Sequence, residues 1–218
     1  MPETIIAEPT LDDVRRALSR PLPGLSAQIK MAPQPRPGRD ADFTIPPGCQ
    51  DSGVLILLYP RAARLTFVLT RRTEMVNSHK GQISLPGGAR EGDESLVQTA
   101  LRETREELGV PPDGTEVLGR LSTLYTSASN YCIHPFVAYR PAVPVFRPDP
   151  VEVAEVLEVP LALLLDPSIR RVEYWAAPHF ESPRRVPFFD IYGQAVWGAT
   201  AMILSELVSL LDRDRVER

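Results

Sequence analysis

Glu103, Glu106 and Glu107 crowd one short stretch: Glu103 and Glu107 are four residues apart, and Glu106 lies one helical turn from Glu103. At about 100° per residue, the three fall on a single arc of about 100°. Like charges at this spacing repel by about 0.2–0.5 kcal/mol per pair. The arrangement is poor for stability but suits a hard divalent cation. Mg²⁺ takes oxygen ligands, keeps several waters and commonly bridges to substrate phosphates. The same cluster also suits a solvated helix face, with Arg102 pairing Glu106, because such surface pairs are common and weak. Pro86-Gly87-Gly88 just upstream marks a turn when read by itself.

A helix must hold these carboxylates. Ser95 and Gln98 form a capping-box pattern at its start, and Gly109 suits its end. Val97, Ala100, Leu101, Thr104 and Leu108 form a narrow stripe at helical spacing, which is expected to face the core. The glutamates occupy the adjoining arc.

From Gly88, five residues lead to Glu94, and seven more lead to Arg102-Glu103. Thr104, Arg105, Glu106-Glu107, Leu108, Gly109 and Val110 follow. This 23-residue spacing, with seven residues fixed, resembles the Nudix box, glycine-x5-glutamate-x7-arginine-glutamate-U-x-glutamate-glutamate-x-glycine-U, where U is bulky and aliphatic. Every fixed position matches; Thr104 departs at the first U. The resemblance implies an α/β Nudix fold, a mixed β-sheet sandwiched between helices. It implies hydrolysis of a diphosphate linkage with Mg²⁺ or Mn²⁺. Glu103, Glu106 and Glu107 become metal ligands, one of them also a base for water, with the Gly87 carbonyl a further metal contact. Glu94 and Arg102 become orienting residues. Divalent ions neutralise the diphosphate, activate water and stabilise the departing phosphate.

A second motif runs upstream. Leu69, Thr70, Arg72, Gly81, Pro86, Gly87 and Gly88 resemble, in register, the signature of coenzyme A diphosphatases within the Nudix group. Thr73, Asn77 and Leu85 depart from it; Asn77 removes an arginine, a possible phosphate donor. The resemblance implies cleavage of coenzyme A to 3′-phosphoadenosine 5′-phosphate and 4′-phosphopantetheine. Arg72 is then a phosphate contact, since guanidinium binds phosphate bidentately, and Lys80 supplies a nearby positive charge. Both arginines, Arg71 and Arg72, also suit ordinary edge-strand positions. The alternatives are a Nudix hydrolase of another nucleoside diphosphate derivative, and a non-catalytic ligand sensor of the same fold. A sensor is expected to lack one or more box carboxylates, and here all are present.

Other chemistry-bearing residues read more plainly. His79 suits an exposed loop, and His134, before Pro135 in a strand-like run, suits a packed or hydrogen-bonded position. Glu152 and Glu155 are candidate downstream acids and equally suit solvated strand charges. No histidine- or cysteine-centred nucleophile constellation is legible, so water is the expected nucleophile.

Apolar residues make up 43% of 218, enough for a sizeable core. The net charge of −4 does not suggest a nucleic-acid partner, whose footprint is usually a basic surplus; a small-molecule substrate is what the resemblance implies. No apolar run approaches the roughly 20 residues that span a bilayer. The acidic N-terminus does not read as a secretory signal. Cys49 and Cys132 have no metal-ligand spacing and are expected as two thiols rather than a disulfide, in a cytoplasmic setting.

The chain divides into residues 1–50, a short helix and a proline-rich arm, and a domain over residues 51–218. Residues 54–58 and 65–69 read as a hairpin, and 117–124, 131–139 and 151–159 as strands. Residues 160–165 read as a helical turn, and 172–175 with 188–192 as a late hairpin. Thr200, Ile203, Leu204, Leu207, Val208 and Leu211 repeat at helical spacing and should dock a final helix on the body.

Overall fold

β1 (Gln50–Arg61) and β2 (Arg64–Arg72) form the antiparallel hairpin that the apolar runs predict. The computed structural model describes residues 8–34, 44–74, 81–176 and 183–216, with side chains through residue 212. Both strands run longer than the apolar stretches, because Ala62 and Ala63 alone close the turn with φ of 48° and 61°. Two positive-φ residues match the twist of a tight hairpin. The sequence signals no such turn, since neither residue is glycine or asparagine.

The eight-stranded sheet adds β3 (Ile83–Ser84), β4 (Gly87–Ala89), β5 (Glu116–Arg120), β6 (Leu124–Thr126), β7 (Tyr131–Tyr139) and β8 (Val153–Pro160). Its central order is β3-β2-β1-β7-β5, with β4 on β1, β6 on β7 and β8 on β2. β1 and β7 run parallel, while the other pairs are antiparallel, so the sheet is mixed. The stretch 117–124 is two strands rather than one. Pro135 of β7 has no N–H to donate, and Leu121 instead bonds the Pro135 carbonyl at 2.9 Å as the chain leaves the ladder. A second sheet joins β9 (Arg170–Trp175), β10 (Arg184–Ile191) and β11 (Gln194–Val196) in the order β11-β10-β9.

Helices cover both faces, giving the layered α/β arrangement. Leu55, Leu57 and Tyr59 of β1 pack beneath α3 (Leu96–Leu108) with Ala100, Leu108 and Val68. Ile56 and Leu58 point the other way, into a larger cluster with α1 (Leu11–Leu18) and α5 (Gly198–Val216). Burial on both faces explains why β1 reads as a continuous apolar run instead of alternating. α3 approaches β1 so closely that a Cβ on Gly53 would stand 2.4 Å from the Leu96 carbonyl oxygen. Two short helices complete the fold, α2 (Leu25–Gln28) and α4 (Leu161–Leu164).

The final helix is enclosed rather than docked by one stripe. From Ala201 to Val208 every side chain of α5 is buried. The first fifty residues supply part of that cover: Val14, Ala17, Met31 and Ala32 lie in the same core as Leu204 and Leu207. Fully buried Glu206 accepts from four donors, the Gly24 amide (3.0 Å), Gln28 Nε2 (2.9 Å), the Ser122 amide (3.1 Å) and Ser122 Oγ (2.7 Å). A buried carboxylate is tolerated only when so satisfied. The segment around α2 is therefore ordered structure, where the prolines suggest an irregular arm; residues 35–43 lie outside the described set.

The two cysteines are joined. Cys49 and Cys132 form a disulfide with a Cα–Cα separation of 5.7 Å across 83 residues. This corrects the expectation of two thiols. Sequence spacing carries no sign of the parallel pairing of β1 with β7, which sets Asp51 opposite Cys132 and brings Cys49 alongside.

Candidate active site

α3 starts and stops where its sequence says. Gln98 Oε1 accepts from the Ser95 amide at 2.8 Å, and Gly109 ends the helix in the left-handed region at φ 69°. Its inward face, however, is turned. Thr99, Ala100, Thr104, Glu107 and Leu108 are buried, whereas Val97 and Leu101 are only half-buried. At about 100° per residue, the buried face is rotated by roughly 60° from the apolar stripe, toward the glutamates. Apolar periodicity centres a face on its largest carbons. Here the close approach of β1 and β4 centres it on small residues and on Glu107.

That rotation desolvates two of the three carboxylates. Glu107 is 2% exposed. Burial pushes its carboxyl up to about 8; Arg72 opposes this, Glu103 and Glu152 add to it, and a backbone hydrogen bond from Gly87 opposes it again. Its Oε2 is buried without a hydrogen-bond partner. Glu103 is also raised above the usual range by burial, against the hydrogen bond and charge of Arg102 and with the charges of Glu106 and Glu152. Its carboxylate lies against Gly88, where a Cβ would stand 2.5 Å from it. Glycine is required there for the approach. Glu106 projects outward, with its side chain 55% exposed.

Arg102 holds the loop to the helix. Its Nε and Nη2 reach Glu94 at 3.1 Å and 2.9 Å, and Nη2 also donates to the Ala89 carbonyl at 2.9 Å. Its Nη1 donates to both Glu103 Oε1 and Glu106 Oε2 at 2.8 Å. The Arg102 hydrogen bonds, first among several, hold the Glu94 carboxyl down to about 2. These two residues thus have the geometry of organisers, with Glu94 Oε1 also fastening the Glu91 amide at 2.9 Å. Among the described residues no three acidic, histidine or cysteine side chains stand as a ready cation cage, and Glu103 and Glu106 are turned onto Arg102. The donor chemistry still fits a hard cation, because an unpartnered buried carboxylate oxygen beside a second desolvated carboxylate needs positive charge.

Arg72 enters from β2. Its Nη1 is 3.6 Å from Glu107 Oε1 and its Nη2 is 3.7 Å from Glu152 Oε2, while its buried Nε has no partner. Arg71 points elsewhere, bonding Glu155 at 2.9 Å. Of the two downstream acids, Glu152 therefore faces the carboxylates and Glu155 does not. The β2–β8 register, which shifts between Arg71 and Arg72, makes that choice and is invisible in the sequence. Arg147 and Asp149 latch the end of α3, a role that sequence reasoning gave to neither: their amides bond the Leu108 and Glu107 carbonyls at 2.8 Å and 2.9 Å. His134 is hydrogen-bonded as expected, to Asp51 at 2.9 Å and to Thr123 at 3.2 Å. Lys80, Asn77 and His79 lie outside the described residues. No helix among the described residues is long and apolar enough to cross a membrane.

Comparison with known proteins identifies the family. Residues 50–181 match the NUDIX domain family. An uncharacterised Nudix hydrolase, NudL, of Photorhabdus laumondii is 36% identical over 143 residues, covering 65% of this chain and 75% of that protein. NudL of Pectobacterium atrosepticum is 37% identical over 145 residues, covering 65% and 73%. Among solved structures, the MutT protein from Methanosarcina mazei Go1 aligns with a TM-score of 0.49 at 19% identity, over 76% of this chain and 94% of that chain.

Proposed function

The chain belongs to the Nudix hydrolases, enzymes of acid-anhydride hydrolysis that generally use divalent metal ions, and we propose that within this family it cleaves the diphosphate of coenzyme A. The products are 3′-phosphoadenosine 5′-phosphate and 4′-phosphopantetheine. The observation that carries the site assignment is the unpartnered, buried Oε2 of Glu107 beside desolvated Glu103. We assign Glu103, Glu106 and Glu107, with the Gly87 carbonyl, as the groups that would hold Mg²⁺ or Mn²⁺. The ion supplies charge neutralisation of the diphosphate and a lowered pKa for water. Glu94 and Arg102 hold the loop so that Gly88 stays against Glu103.

Arg72 is the proposed phosphate contact, and Lys80 a second basic group for the substrate. Support for Arg72 comes from its buried, unpartnered Nε and its two long ion pairs, which leave guanidinium capacity unused. Support for coenzyme A comes from Leu69, Thr70, Arg72, Gly81, Pro86, Gly87 and Gly88 in the register of the second motif.

The test is mass-spectrometric product identification over a panel of coenzyme A, nucleotide sugars, dinucleotides and nucleoside triphosphates, each with Mg²⁺ or Mn²⁺. Coenzyme A should give the two named products, with dephospho-coenzyme A turned over less well. Intact coenzyme A beside rapid turnover of a nucleotide sugar would move the substrate to that class and leave the family unchanged.

A further inference from the structure

A cavity of about 200 Å³ lies between the turn after α2, the face of β9 and β10, and the second half of α5. Its apolar floor is Met31, Val172, Pro187, Phe189 and Val208. Among the described residues four cationic residues border it, Lys30, Arg170, Arg171 and Arg185. Strand register decides which arginines present themselves. Arg170 pairs with Phe189 and Val172 with Pro187, so these four share a face with Arg185. Arg171 also borders the cavity, but its side chain belongs to the alternate face of β9 and its guanidinium is bonded to Asp190 at 3.0 Å.

The other three cations are weakly committed. Arg170 reaches Asp212, the one carboxylate lining the cavity among the described residues, at 3.7 Å. Lys30 Nζ makes a long 3.4 Å contact with Ser209 Oγ. Arg185 has no ion-pair partner among the described residues. With Arg171 committed to Asp190, three cations face one carboxylate among the described residues, a local positive excess on a chain whose net charge is −4. A concave site with one sign of charge and apolar walls focuses field on an anion. Guanidinium forks in particular match phosphate.

The cavity is separate from the carboxylates of α3. α5 packs on the opposite face of the large sheet from α3. The start of α5 meets β3, with Thr200 Oγ1 3.4 Å from the Ile83 carbonyl. Ser209 lies nine residues further on, roughly 13 Å along the helix axis.

We propose that this cavity is a second binding site, for a small soluble phosphate monoester whose apolar part rests on Val172, Pro187 and Phe189 and whose phosphate is held by Lys30, Arg170 and Arg185. The occupant bridges the N-terminal segment, the small sheet and α5, so its binding raises the thermal transition. Phenyl phosphate, titrated calorimetrically into the full chain in EDTA, is the probe, with phenol as the neutral control. Phenyl phosphate should bind at one equivalent and phenol should not. Arg185→Gln and Lys30→Gln should each weaken binding at least tenfold with unchanged circular dichroism, while Glu103→Gln should leave it unchanged. Lys30 is exposed, so its variant keeps the test usable if Arg185→Gln misfolds. No binding by the wild type, Lys30→Gln binding within twofold of it, or equal weakening by Glu103→Gln would overturn the proposal. Phosphatidylcholine vesicles carrying phosphatidic acid form a second arm; Lys30-dependent vesicle binding without a phenyl phosphate response would overturn assignment to a soluble ligand.

Discussion

Arg72 and Glu107 face each other at 3.6 Å, too far for a hydrogen bond, and each keeps one buried polar atom without a partner. An ion pair built for stability closes to about 2.8 Å and satisfies its lone pairs. This one is open. The unused capacity on both sides is what a cation and a phosphate together would fill.

Glu107→Gln should therefore separate stability from activity. Turnover should fall by orders of magnitude, since metal placement carries much of the transition-state stabilisation. In EDTA at pH 8 the variant should melt no lower than the wild type, and up to a few degrees higher. Removing a poorly satisfied buried charge is worth roughly 1–3 kcal/mol, and about 2–4 °C accompanies each kcal/mol in a chain of this size. A scan of melting temperature against pH checks the sign. The folded carboxyl titrates near 8 against 4.5 when unfolded, so the folded state holds the extra proton between those values. Stability is then lost as pH rises from about 4.5 to 8, and Glu107→Gln should flatten that slope.

The same shift couples metal binding to protons. Mn²⁺ must displace the proton that Glu107 retains below about pH 8, so affinity should climb from pH 6 to pH 8. Calorimetry in buffers of different ionisation enthalpy should show proton release at pH 7. Release that persists undiminished in Glu107→Gln would assign the proton elsewhere.

The turned face of α3 predicts unequal costs for its two leucines. Leu108 is fully buried, so Leu108→Ala should cost about 2–5 kcal/mol. Leu101 is half-buried and should cost less than half as much. Denaturant unfolding of both variants measures the order; a reversed order would return the inward face to the apolar stripe.

Glu206→Ala should destabilise by about 3 kcal/mol or more, because it leaves the Gly24 and Ser122 amides without their acceptor in a buried site and Gln28 Nε2 with the Ser122 carbonyl alone. Glu206→Gln, which keeps two of those bonds at most, should fall between. Hydrogen exchange should show residues 24–28 losing protection first.

Reduction of Cys49–Cys132 should lower stability by about 2–4 kcal/mol, as expected for release of a long loop. Non-reducing mass analysis with melting in the presence and absence of reductant reads this directly. Equal melting in both would show that the β1–β7 pairing alone holds the two ends.

Much of the site was legible in the chain. The spacing from Gly88 to Val110 placed the loop, the helix, its caps and the three glutamates, because caps and helical periods are local properties of backbone and neighbouring side chains. The strands of both hairpins were legible for the same reason. Long-range contact decided the rest. Which side of α3 faces inward was set by Gly53 and Gly88 letting β1 and β4 approach the helix, and this desolvated Glu107 and Glu103 but left Glu106 in solvent. Register across β2 and β8 set Glu152, not Glu155, beside Arg72. The parallel pairing of β1 with β7 joined Cys49 to Cys132, and the contacts around Glu206 drew the N-terminal segment onto α5. Each of these depends on which residues meet across tens of positions, and composition and local periodicity carry no record of that.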